Sequence, residues 1–183
     1  MVFSWRRPLA ILRYLARAGR TVLVHDHPMN AGPIGGLGSS SANHLAAEAD
    51  VILAVGTRLQ DFTTGSWSLF RNAERRLVSI NLHPYDAHKH LAVPLVADAK
   101  VALERLSEAL GDLRFDAYDP GAKTAWLGEV KRVTDPPRPE ANALPTDAQV
   151  IGAVQRAATE NTVAMCAAGT MPGALQVLWQ AAK

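Results

Sequence analysis

A chain of 183 residues, 48% of them hydrophobic, can bury one good core with an appendage, and no apolar run approaches the roughly 18–20 residues that span a bilayer as a helix. A formal net charge of +2 with no Lys/Arg-rich tract leaves the pI near 8.9 as weak support for a nucleic-acid partner. The single cysteine, Cys166, excludes a disulfide framework within the chain and points to a reducing cytoplasm.

The chain opens with Arg6 and Arg7 ahead of Leu9, Ala10, Ile11 and Leu12, but Arg13 and Arg17 interrupt what a signal peptide needs as an apolar core. The spacing of Leu9, Leu12 and Leu15-Ala16 predicts an amphipathic helix over residues 8–18, with Pro8 in its first turn and Gly19 ending it. Thr21 to Val24 reads as a strand, followed by a turn-rich passage over 25–38. Ser39, Ser40 or Ser41 then caps a helix through Ala49.

Residues 50–66, DVILAVGTRLQDFTTGS, form the centre of the pattern. Five apolar residues bounded by Asp50 and Gly56 fit a strand buried on both faces, as parallel sheets require. In open α/β sheets ligands bind at the carboxyl ends of such strands, so the polar exit of this one draws attention. A helical turn is expected over 66–70, with Trp67 and Phe70 packing inward. Residues 76–81 and 93–96 read as further strands, and Asp98 caps a helix with Leu103, Leu106 and Leu110 on its stripe. Strands alternating with helices predict an α/β fold, a Rossmann-like open parallel sheet with helices on both faces.

From Leu113 the texture changes. Residues 118–133 look helical in their second half, around Trp126, Leu127 and Val130. The prolines at 136, 137 and 139 preclude regular structure, placing a linker over 134–144 between a domain of residues 1–133 and a unit of residues 145–183. That unit reads as a helix to Ala158, a buried strand over 162–167, a loop at Gly169–Gly173 and a helix over 174–182. One such unit cannot bury its own faces, so it reads as the truncated start of a second domain.

Three features carry candidate chemistry. The glycine-rich turn from Gly35 to Ser41 precedes a helix and can cradle an anion. It lacks both the dinucleotide fingerprint and the phosphate-loop lysine, and the plainer reading is a turn with a serine cap. Arg58, Asp61 and Thr64 surround the exit of the central strand. Arg58 can clamp a phosphate or carboxylate, or it can pair internally with Asp61 and order the loop. Histidines at 25, 27, 44, 83, 88 and 90 show no zinc-type spacing, and Cys166 in its apolar run reads as inert core. No nucleophile–base pair is evident, so neither catalytic nor metal-ligating residues are assigned.

Several passages resemble a known family. Asp50 through Arg58, Leu77 through Asn81 followed by Asp86, and Val96 through Lys100 are similar, in that order, to the central domain of thiamine-diphosphate-dependent enzymes. DHPMNAGPIG from Asp26, GSSSAN from Gly38, GTRLQDFTTGSWSLF from Gly56 and AAGTMPGALQVLW from Ala167 narrow the resemblance to its trihydroxycyclohexanedione hydrolase group, ring-opening enzymes of myo-inositol breakdown. It covers most of residues 20–183, with the predicted amino-terminal helix standing where the family has a strand and a glycine-rich turn.

The resemblance implies a C–C hydrolase using thiamine diphosphate and Mg2+ in a full-length parent. It places the catalytic glutamate in an amino-terminal domain and the Gly-Asp-Gly stretch that holds Mg2+ beyond Lys183. The chain is then expected to be inactive alone, to bind neither group tightly, and to have as partners the missing domains and further copies in a dimer or tetramer. Gly169, Thr170 and Met171 match the loop near the cofactor's diphosphate, and Arg58, Asp61 and Thr64 match a loop that faces flavin in acetolactate synthase. Two other readings remain open from the residues: a stand-alone FAD-, NAD- or ADP-binding module, and a purely structural domain.

Overall fold

A computed structural model describes residues 2–6, 10–15, 25, 27–111, 121–135, 143–167 and 169–180. Among the described residues a six-stranded sheet runs in the order β3-β2-β1-β4-β5-β6, made of β1 (Val2–Arg6), β2 (Ala10–Leu15), β3 (Asn30–Pro33), β4 (Val51–Val55), β5 (Arg76–Asn81) and β6 (Val93–Val96). The expected parallel sheet is present as β4–β5–β6, with Val51 opposite Arg76 and Val78 opposite Val93. β2 and β3 are also parallel, while β1 runs antiparallel to both its neighbours.

The helix predicted over residues 8–18 is corrected: residues 10–15 are a strand. Val2 stands opposite Tyr14 and Arg6 opposite Ala10. Apolar residues at spacings of three also occur in a strand, and pairing with a neighbour overrides a weak local preference. The strand expected at 21–24 lies outside the described residues. β3, inside the turn-rich passage, went unforeseen because Gly32 and Pro33 mask it; its four residues are buried.

β4 shows why the sheet needs both faces covered. Ile52 and Ala54 join the core beneath α1 (Ser40–Glu48), with Leu45, Ala46, Phe70 and Leu77. Leu53 and Val55 point the other way, into a second core with Ile80 and with Ala102 of α4 (Ala99–Leu110). Alternation with both sets apolar is the mark of a strand sandwiched between helical layers. The predicted caps hold: Ser39 Oγ accepts from Ala42 N, and Asp98 Oδ1 accepts from Lys100 N and Val101 N.

After β4 the helical turn lies earlier than expected, as α2 (Asp61–Thr64), with turns rather than helix over 66–70. α3 (Pro84–Ala87) and a 3-10 turn (Lys89–Leu91) lead into β6. α5 (Gly121–Thr134) packs Ala122 into the core under α1 and Trp126 and Val130 into a third core. That core also takes Ile151 from α6 (Asp147–Ala157) and Leu178 from α7 (Met171–Leu178). Thr146 and Gln149 form a reciprocal capping box at the start of α6. α7 begins three residues ahead of the predicted 174.

Residues 162–167 have no regular secondary structure and pair with no strand among the described residues, correcting the strand expected there. Val163 and Met165 are 83% and 88% exposed, and Cys166 is exposed rather than buried in a core. A strand is defined by its ladder, and among the described residues this apolar segment has none. No helix of the described residues is long and apolar enough to cross a membrane.

Candidate functional site

Gly56, at φ +60, turns the chain out of β4, and its N–H donates to Ile80 O at 2.8 Å. The loop beyond is wired to itself. Thr64, 1% exposed, donates from Oγ1 to Gln60 O at 3.3 Å and accepts from Trp67 N at 2.9 Å. Ser66 N donates to Asp61 O, while the Asp61 side chain stands exposed at the positive end of α2. Thr64 therefore holds the loop's shape, with both roles of its hydroxyl engaged.

Arg58 does not pair with Asp61. Its Nε lies 3.5 Å from Oδ2 of Asp86, whose Oδ1 lies 2.7 Å from Lys89 Nζ. Asp86 is buried on α3, and Lys89 follows one turn later. The hydrogen bond from Lys89 holds the Asp86 carboxyl below its ordinary range; burial opposes this, and the charges of Lys89, Arg58 and His83 reinforce it. Arg58 stays 69% exposed, so Asp86 fixes its inner edge and the outer fork faces solvent. At the end of β5, Asn81 donates to Thr57 O and accepts from His83 N, which engages both ends of its amide. Asp86 is the residue that sequence reasoning left unassigned; its position after Asn81 and Pro84 was the available signal.

The glycine-rich turn spends its amides internally. Gly35 N donates to Asn43 Oδ1, Gly36 N to Phe62 O, Gly38 N to Gly35 O and Ser39 N to Pro33 O. This is the geometry of a turn and cap rather than of an open phosphate cradle. Its Gly36–Phe62 bond docks it onto α2, and a Cβ on Gly35 would stand 2.1 Å from Phe62 O.

Gly169, Thr170 and Met171 lie at the start of α7. Gly169 has φ +141, and the space where its Cβ would stand is open. Thr170 Oγ1 donates to Asp147 Oδ2 at 3.3 Å. Three residues on, Gly173 sits against Leu37 of the glycine-rich turn. A shallow crevice lined by Ile34, Leu37, Phe62, Thr63 and Gln176 marks where the three stretches meet. The fold thus brings the glycine-rich turn, the loop after β4 and the start of α7 to one corner, leaving the Arg58–Asp86–Lys89 cluster at the neighbouring strand ends.

The histidines disperse. His90 stacks on Trp67 with ring centroids 3.8 Å apart, His44 faces Glu48 at 3.6 Å, and His88 Nδ1 lies 2.8 Å from Pro84 O. Among the described residues no three His, Cys, Asp or Glu side chains gather in a metal-binding group.

Residues 10–106 match the family described as thiamine pyrophosphate enzyme, central domain. The chain belongs to this family. The match spans β2 to α4, the layers that frame the loop after β4. The chain is also similar to proteins named 3D-(3,5/4)-trihydroxycyclohexane-1,2-dione hydrolase. That of Clostridium perfringens is 32% identical over 188 aligned positions, covering 90% of this chain and 29% of the relative. That of Geobacillus thermodenitrificans is 38% identical over 187, covering 89% and 29%, and one of Bacillus cereus is 33% identical over 192, covering 91% and 30%. The chain spans less than a third of the length of these relatives.

The corner at α7 meets part of what the family's cofactor requires. The amino terminus of α7 carries partial positive charge, which suits a diphosphate, but its donors are few: Pro172 has no N–H, and those of Gly173 and Ala174 donate to Thr170 O. Gly169 leaves room for close approach, and Thr170 is exposed beside it. These residues fit one contact with an anionic group.

Proposed function

We propose that this chain is the central domain, with the first elements of the cofactor domain, of a thiamine-diphosphate-dependent hydrolase. That enzyme opens the ring of trihydroxycyclohexane-1,2-dione in myo-inositol breakdown, in the cytoplasm and as an oligomer. The observation that carries this reading is the 32–38% identity over about nine-tenths of the chain to proteins so named. The central domain comprises residues 1–133, the linker 134–144 and the cofactor-domain start 145–183. The exposed, apolar, unpaired segment at 162–167 supports the last assignment, because a following sheet would supply its partner.

Gly169, Thr170 and Met171 bind the diphosphate end of thiamine diphosphate, while Mg2+ is held elsewhere in the longer protein. When bound, the cofactor supplies the electron sink for breaking a C–C bond next to a carbonyl. The protein groups here bind and orient: Gly169 admits close backbone approach and the α7 amino terminus offsets negative charge, while Thr170, its hydroxyl donating to Asp147, holds the loop. Arg58, Asp61 and Thr64 form an ordered loop, with Thr64 wired internally and Arg58 held by Asp86. The outer fork of Arg58 is left for a neighbouring domain or ligand.

The test is dione hydrolysis with thiamine diphosphate and Mg2+. The longer protein carrying this sequence is expected to release the ring-opened acid, and this chain alone to release none. Ring opening by the isolated chain, or none by the longer protein, defeats the reading.

A further inference from the structure

We propose that Trp126 is a positioning residue that sets where the Gly169–Met171 loop stands relative to the central sheet. Its bearing on the reaction rests on the assignment of that loop to the cofactor. Trp126 is 4% exposed on α5, and its indole Nε1 donates to the carbonyl of Val177 at 3.0 Å. Val177 lies in the last turn of α7, where carbonyls have no partner within the helix. The indole therefore caps α7 from another element. On its other side the ring lies on the backbone of β3: a Cβ built on Gly32 would stand 2.9 Å from Cδ2 and 3.1 Å from Cε2. Gly32, at φ +96, admits that contact because it has no side chain. One side chain thus grips the sheet and the end of α7 together.

A helix carries that grip along its length. At a rise of about 1.5 Å per residue, Met171 stands roughly 9 Å from Val177 on one stiff rod. Met171, Ala174 and Leu175 also pack against the third core, apolar contacts without direction that leave the helix free to slide, and the remaining restraints near the loop are softer. The Thr170–Asp147 hydrogen bond is exposed, and Gly173 rests on Leu37, whose side chain reaches the surface. A buried tryptophan finds a partner for its N–H, and here that partner belongs to the helix bearing the loop.

Amide hydrogen exchange on this chain tests the proposal, with Trp126→Phe beside Ile80→Val, a volume loss in the core on the other face of the sheet. Trp126→Phe keeps a ring and removes the donor. Exchange over 169–178 is expected to rise about fivefold, the equivalent of roughly 1 kcal/mol, while β4 and β5 keep their rates. Ile80→Val is expected to do the reverse. Wild-type rates over 169–178 in Trp126→Phe, or a rise no larger than that of β4 and β5, overturn the proposal. One further reading needs no variant: the indole N–H of Trp126 should exchange as slowly as the α7 amides, and free exchange there also overturns it.

In the longer protein, Trp126→Phe is expected to raise the thiamine diphosphate concentration for half-maximal activity about fivefold and to lower kcat less. Faster loop exchange with unchanged cofactor dependence leaves the positioning intact and removes the cofactor assignment instead.

Discussion

Asp86 is a buried carboxylate with two cations on it, and its energetics follow from that. Asp86→Asn leaves Lys89 and Arg58 without their counter-charge and is expected to lower stability by about 2 kcal/mol at neutral pH, read from urea unfolding. Its carboxyl is depressed in the folded chain, so the stabilisation is complete above its unfolded value near 3.8 and is lost as the pH falls through the lower folded value. Wild-type and Asp86→Asn curves should therefore separate at pH 7 and converge once the pH falls below the lowered folded value. Ser79 is the opposite case. Its hydroxyl is 1% exposed on β5 and has no hydrogen-bond partner among the described residues. Ser79→Ala removes that unpaired group and is expected to raise stability by about 1 kcal/mol, measured as an upward shift in the denaturation midpoint. Neither role was legible beforehand. Arg58 and Asp61 are close in sequence, which invited a local pair, but the partner came from the next βα connection.

Among the elements, those whose signals are local were readable. β4 and β5 are short apolar runs ending in Gly56 and Asn81, α4 has Asp98 and Gly111 at its ends, and α6 has Thr146 and Gln149. Elements defined by a partner were not. β1 and β2 exist through pairing, and residues 162–167 form no strand because none is beside them among the described residues. The docking of α2 on the glycine-rich turn belongs to this second kind. Gly35 has φ +119, and a Cβ there would meet Phe62 O at 2.1 Å, a backbone atom that cannot swing aside. Gly35→Ala is accordingly expected to destabilise by about 3 kcal/mol or more, checked by thermal unfolding. A mere glycine-rich linker would tolerate the change within about 0.5 kcal/mol.

Across the molecule, α5 joins the parts: Ala122 lies in the sheet core, and Trp126 and Val130 lie against α6 and α7. Of the apolar segment at 162–167, Ala164 joins this packing and Val163 and Met165 are left out of it. Val163→Lys should leave the stability of this chain within about 0.5 kcal/mol of wild type, since the side chain is 83% exposed. The same change in the longer protein is expected to reduce folded yield and dione hydrolysis sharply, because a charge would then enter a sheet core. Equal tolerance in both argues against a following sheet.

The sequence by itself determined the alternation of buried strands and capped helices, and hence the α/β class, because periodicity and capping act within a few residues. It also carried the family in the stretches around Gly35, Gly56, Leu77 and Gly169. Only the tertiary structure decided that residues 2–6 and 10–15 are strands and that Arg58 answers to Asp86. It alone brought the glycine-rich turn, the loop after β4 and the start of α7 to one corner. Those outcomes depend on which groups the folded backbone sets side by side, and distance along the chain does not report that.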